Sequence, residues 1–167
     1  TNTISQDQGY FKISKVFDPL TSGFTADFTM NYVCTDDSAT SGSVGVGAGE
    51  TSAAIGPIDT HNGATPVTCT VTETAPTAPT GWTFGTPTYN PTGGQVTITK
   101  GLAAAAVEVT VTNTISRDLG SLKISKVFDP LTSGFVGTFA IDYDCDDGTA
   151  HDGTVNLLAG GNQTISG

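Results

Sequence analysis

Three residues of this 167-residue chain have the types and positions to react with one another: Lys15, Glu73 and Asn113. Each ends an alternating apolar run. Phe11, Ile13 and Lys15 share one strand face; Val67, Cys69, Val71 and Glu73 share a second; Val107, Val109, Val111 and Asn113 share a third. Side chains alternate across a strand, so each polar group continues a face that otherwise reads as core. An amine, a carboxylate and a carboxamide in an apolar interior are costly unless they pair or react. Together they are the reactant set for a spontaneous Lys15–Asn113 isopeptide bond, with Glu73 as the proton shuttle. Lysine attacks only when neutral, and burial lowers its pKa. Contact inside a folded core supplies the effective concentration that amide exchange otherwise lacks. The competing reading is an ordinary Lys15–Glu73 ion pair at a sheet edge, with Asn113 capping a turn. Lys12 is the rival amine, but its phase places it on the solvent face with Ser14.

Other chemistry-bearing residues give weaker signals. Cys34 shares a face with Phe28, Met30 and Tyr32, and Cys69 lies on the inward face with Val67 and Val71, so a Cys34–Cys69 disulfide is plausible. The alternative is two separate buried thiols acting as small hydrophobes. The extracellular look of the composition favours the disulfide. Trp82 follows both cysteines rather than lying between them, which departs from the antibody arrangement. Asp142, Asp144, Asp146, Asp147 and Asp152 could offer hard oxygen ligands to calcium. Asp147 stands where an EF-hand needs glycine, however, and no Glu follows, so a solvated acidic loop is the better reading. His61 and His151 have no cysteine or carboxylate at zinc-ligand spacing and read as loop residues. Trp82 and Tyr89 could form a sugar platform, although a core or sheet-face role fits them better. No metal site and no cofactor are expected, and no catalytic turnover.

The elements that must hold these residues are strands. Thr and Val alternate, which suits pleated, half-buried surfaces, and no window carries a stripe of helical period. The Ala103–Ala106 run tempts a short helix but flows into Val107, Val109 and Val111, so it reads as the approach to a strand. Strands are predicted at 10–17, 24–34, 42–47, 52–56, 66–73, 82–89, 95–100 and 106–114. DPLTSG at 18–23, APTAPTG at 75–81 and NPTGG at 90–94 supply the turns between them. Such spacing predicts an all-β sandwich or barrel. The formal net charge of −10 argues against nucleic-acid phosphates and anionic membranes as partners. No apolar run is long enough for membrane insertion as a helix.

Residues 1–56 align without gaps with 112–167, at 30 identities in 56 positions that include an unbroken KISKVFDPLTSGF. Internal similarity of this kind predicts tandem copies of one structural unit. Residues 1–8 read as the tail of a preceding repeat, with Asn2 as that repeat's asparagine. Residues 9–116 read as one complete repeat. Residues 117–167 read as the first half of the next, with Lys126 as its lysine and Cys145 lacking its partner. The chain opens without Met or a signal peptide, so it is expected to be an internal slice of a longer protein.

YFKISK, TVTETAPTAPTGW and VEVTVTN, in that order, carry a resemblance to the Cna-B type of domain. These are the immunoglobulin-like (transthyretin-like) repeats of Gram-positive surface adhesins and pilins. The resemblance implies that the first strand supplies the lysine, a central strand the acid, and the last strand the asparagine. These positions correspond to Lys15, Glu73 and Asn113. The cysteine pair and the APTAP insertion depart from the commonest pattern and look closer to repeats of long actinobacterial surface proteins. The resemblance implies an all-β, immunoglobulin-like sandwich in tandem repeats, secreted to the cell surface. Its role there would be a stalk or spacer whose partners are neighbouring repeats or neighbouring subunits of a filament. The alternative is a ligand-binding module whose end loops hold a glycan, a matrix protein or calcium.

Overall fold

Alternation of apolar residues with Thr and Ser builds two sheets that each have one greasy face. The computed structural model describes residues 5–18, 23–129, 134–146 and 151–167. The chain divides into two units, 1–117 and 118–167. Asn2, Asp147 and most of both DPLTSG turns lie outside the described residues.

In the first unit one sheet is built on β1 (Gln8–Asp18) and the other on β2 (Phe28–Cys34) and β3 (Ser41–Val46). Next come β4 (Ile55–Asp59), a small hairpin of β5 (His61–Asn62) and β6 (Thr65–Pro66), and β7 (Thr68–Glu73). The unit closes with β8 (Trp82–Phe84), β9 (Thr88–Asn90), β10 (Gln95–Thr97) and β11 (Val107–Arg117). One sheet runs β4-β1-β11-β8, with β9 also paired to β11; the other runs β10-β7-β2-β3. Phe11, Ile13, Phe28, Met30, Val67, Val71, Val109 and Val111 fill the core, all 0–1% exposed. This is the expected all-β sandwich. The first and last strands lie side by side and parallel, with Lys15 opposite Val111 and Phe17 opposite Asn113.

Several boundaries differ from the sequence reading. The second strand begins at Phe28, not at residue 24, and β4 runs Ile55–Asp59, with Thr51 contributing only a bridge to Ser14. The predicted strand over 82–89 is two strands, because Gly85 and Pro87 interrupt it, and proline cannot donate to a ladder. His61 lies in a short strand rather than a loop. Ala103–Ala105 form a single 3-10 turn before β11. Three alanines are too few to propagate a helix past its nucleus.

The second unit has β12 (Ser121–Ser125) antiparallel to β15 (Asn162–Ser166), and β13 (Phe139–Tyr143) antiparallel to β14 (Gly153–Leu157). The register of β13 with β14 repeats that of β2 with β3 at an offset of 111. Phe139 faces Leu157 as Phe28 faces Val46. The Ser125–Asn162 pair matches the Ser14–Thr51 bridge. The Phe128, Phe135 and Phe139 rings cluster as do Phe17, Phe24 and Phe28.

Candidate functional site

Lys15 enters the core because β1 has no freedom to turn it elsewhere. Its neighbours of the same phase, Ile13 and Phe17, are buried on the same face, and a one-residue slip would expose the whole set. Asn113 lies on the inward face of β11 with Val109, Val111 and Ile115. In the parallel register it sits two residues beyond the partner of Lys15, a diagonal that a lysine side chain can span. Glu73 ends β7 in the facing sheet, opposite Met30. The structure therefore brings the three sequence-predicted residues together from three strands and both sheets.

Glu73 is the hub. Its Oε2 lies 3.2 Å from Lys15 Nζ, and both side chains are shut off from solvent. Its Oε1 accepts a hydrogen bond from Asn113 Nδ2 at 2.6 Å. Lys15 and Asn113 are 1% and 0% exposed, so water does not compete for these contacts. Burial holds the Lys15 amine below its ordinary pKa, and the Glu73 carboxylate offsets part of that effect. The amine also lies 4.1 Å from the centre of the Phe28 ring. Asn113 Oδ1 is buried with no hydrogen-bond partner, an acceptor left in apolar surroundings. The Glu73 backbone amide donates to Tyr89 Oη at 3.0 Å, which ties the end of β7 to β9.

Phe28, Tyr89 and Met30 were not legible as site residues: Met30 meets Glu73 through the β2–β7 pairing, whereas Phe28 and Tyr89 reach the triad across the two facing sheets. One signal could have flagged Phe28. Both copies keep a Lys and a Phe at this spacing, and Lys126 lies 4.4 Å from the Phe139 ring in the second unit. Lys126 also makes the backbone contacts of its counterpart: its amide donates to Gly161 O as Lys15 N does to Glu50 O. Lys12 lies outside the site and pairs with Glu108 on the outer face at 3.0 Å.

Cys34 and Cys69 face each other directly across β2 and β7 and are joined, with S–S 1.98 Å and Cα–Cα 4.0 Å. Cys145 takes no part in a disulfide. In the acidic segment, Thr154 Oγ1 donates to Asp142 and the Cys145 amide donates to Asp152, so both carboxylates serve the β13–β14 hairpin. Trp82 is half-buried on β8, with the Arg117 guanidinium 5.9 Å from its ring. It lines a cavity of about 430 Å³ with Glu73, Pro76, Ala78, Phe84 and Pro87.

Residues 11–116, which contain every member of the triad and the disulfide, match the profile of a family described as Domain of unknown function (DUF5979). The chain belongs to this family. The DUF5979 match begins on β1 and ends on β11, so it spans the complete sandwich with both parallel partner strands. No curated protein matches the chain.

Proposed function

We propose that this DUF5979 sandwich is a structural repeat that crosslinks itself once, through an isopeptide bond between Lys15 and Asn113. The observation that carries the reading is the buried Lys15–Glu73–Asn113 contact. An ion pair alone would not need a carboxamide on its far side, with an orphaned carbonyl, in a dry core. In the reaction Glu73 Oε2 takes a proton from Lys15 Nζ, and the neutral amine attacks Asn113 Cγ. The Cγ–Nδ2 bond breaks, and Nδ2 leaves as ammonia with a proton relayed through Glu73 Oε1. The second proton lost by the amine stays with the carboxyl or leaves as ammonium. Positioning and proton relay are all the protein needs to supply.

The Cna-B resemblance fits this reading, as do the parallel first and last strands. A bond between β1 and β11 would route tension directly between the two ends of the module, sparing the sheet. That suits a stalk or spacer in a secreted surface protein, an adhesin, pilus or fibre, whose partners are neighbouring repeats or subunits. The site turns over once and is not an enzyme. Proteolysis followed by tandem mass spectrometry tests the chemistry. A branched peptide joining the Lys15 and Asn113 segments is expected in the wild type and absent from Glu73→Gln. Unlinked peptides in the wild type would refute the proposal.

A further inference from the structure

We infer that the Cys34–Cys69 disulfide is the register pin of β7, so that the crosslink waits for cysteine oxidation. This rests on the isopeptide reading above and concerns what controls it. The outward residues 68, 70, 72 and 74 are all Thr, and the inward residues Val67 and Val71 are alike. A slip of two residues therefore keeps the in-and-out pattern intact, and burial alone does not choose between the two registers. Outward hydrogen bonds do not choose either. Asn31 Nδ2 donates to Thr74 Oγ1 at 2.8 Å, and a slipped strand would offer it Thr72.

The slip does change what stands opposite Met30: Glu73 in the observed register, and Val71 in the slipped one. Apart from the β2–β7 ladder and the Tyr89 hydroxyl on its backbone amide, little fixes Glu73 along its strand. β10 pairs with β7 only from Thr68 to Thr70, and no strand follows until Trp82. Its position is inherited along the β2–β7 ladder, whose other end is closed by Cys34 opposite Cys69. Four residues of strand, about 13 Å, separate that lock from Glu73. The ion pair with Lys15 rewards the correct register; the disulfide leaves no other. Oxidation passes two electrons and two protons from the thiols to a low-molecular-weight disulfide through thiol exchange. The amide exchange then proceeds without further redox chemistry. A chain of this design stays uncrosslinked in a reducing compartment and locks in an oxidising one.

The experiment is to produce the 167-residue chain under reducing conditions, keep it reduced, and follow its denatured mass before and after adding oxidised glutathione. Thiol labelling reads the disulfide, and far-ultraviolet circular dichroism reads the fold. The expected result is a folded, reduced protein at full mass that loses one ammonia only after Cys34 and Cys69 oxidise. A Cys34→Val/Cys69→Val variant, which keeps an apolar core, should crosslink at least tenfold more slowly whatever the redox state. Ammonia loss in the reduced protein, or at wild-type rate in the valine variant, would overturn the pin and leave the isopeptide reading standing. A reduced protein that is unfolded would assign the disulfide to stability alone and also overturn the pin. Full mass in both redox states would refute the isopeptide reading and the inference with it.

Discussion

A buried amine beside a buried carboxylate gives the site a defined response to pH. Lys15 is held below its ordinary pKa of 10.5, chiefly by burial. Between its folded value and 10.5 the unfolded chain carries a proton that the folded chain lacks, so unfolding free energy rises with pH across that window. Below the folded value the cost of burying the charged amine is present in full. The response should be visible only where no bond forms. Asn113→Ala is therefore expected to gain stability toward urea as pH rises toward 10.5, and Lys15→Met/Asn113→Ala should show a flatter profile. Equal slopes in the two variants would contradict the assignment. The inward phase of Lys15, Glu73 and Asn113 was legible because each prolongs an alternating run. The Phe28 ring under the amine and the Tyr89 hydroxyl on the Glu73 amide were not, since the packing of the two sheets brings them in from distant positions. The orphaned Asn113 carbonyl is visible only in three dimensions.

The strands position the triad through a few points where the backbone has little choice. Gly94 ends the 3-10 turn before β10 with φ +69°, and a Cβ there would overlap the Val71 carbonyl oxygen on the site strand. Gly94→Ala is expected to cost about 1–3 kcal/mol, read by chemical denaturation, because both the left-handed backbone and the close approach are lost. A variant within error of wild type would show that β7 and this turn are not tightly packed. Removing the disulfide, which closes a separation of 35 residues, should cost about 4 kcal/mol in the chain-entropy account. Cys34→Val/Cys69→Val measured against wild type in an uncrosslinked Glu73→Gln background checks this. The inward alternation of β1, β7 and β11 announced those strands in the sequence. The 82–89 segment misled because its Thr and aromatic content suits a strand, while Gly85 and Pro87 break the ladder. The Ala103 run leads into β11 as expected, through one 3-10 turn, because so short a segment of a strong helix former goes no further.

At the scale of the whole molecule, 30 identities at one offset predict a repeat, and β2–β3 and β13–β14 share one register at that same offset. What identity alone could not supply is the parallel pairing of β1 with β11, which sets the proposed bond across the ends of one module. Lys126 copies the backbone and ring contacts of Lys15, yet residues 118–167 contain no counterpart of Glu73 or Asn113. The two lysines should therefore behave differently: Lys126→Ala should leave the chain's mass deficit intact, and Lys15→Ala should abolish it. A deficit that follows Lys126 instead would move the bond out of the site described. The most direct test of the central claim is the intact mass of the purified chain, reduced and denatured. A mass lower than the sequence by one ammonia is expected, restored by Glu73→Gln. A wild-type mass equal to the sequence would contradict it.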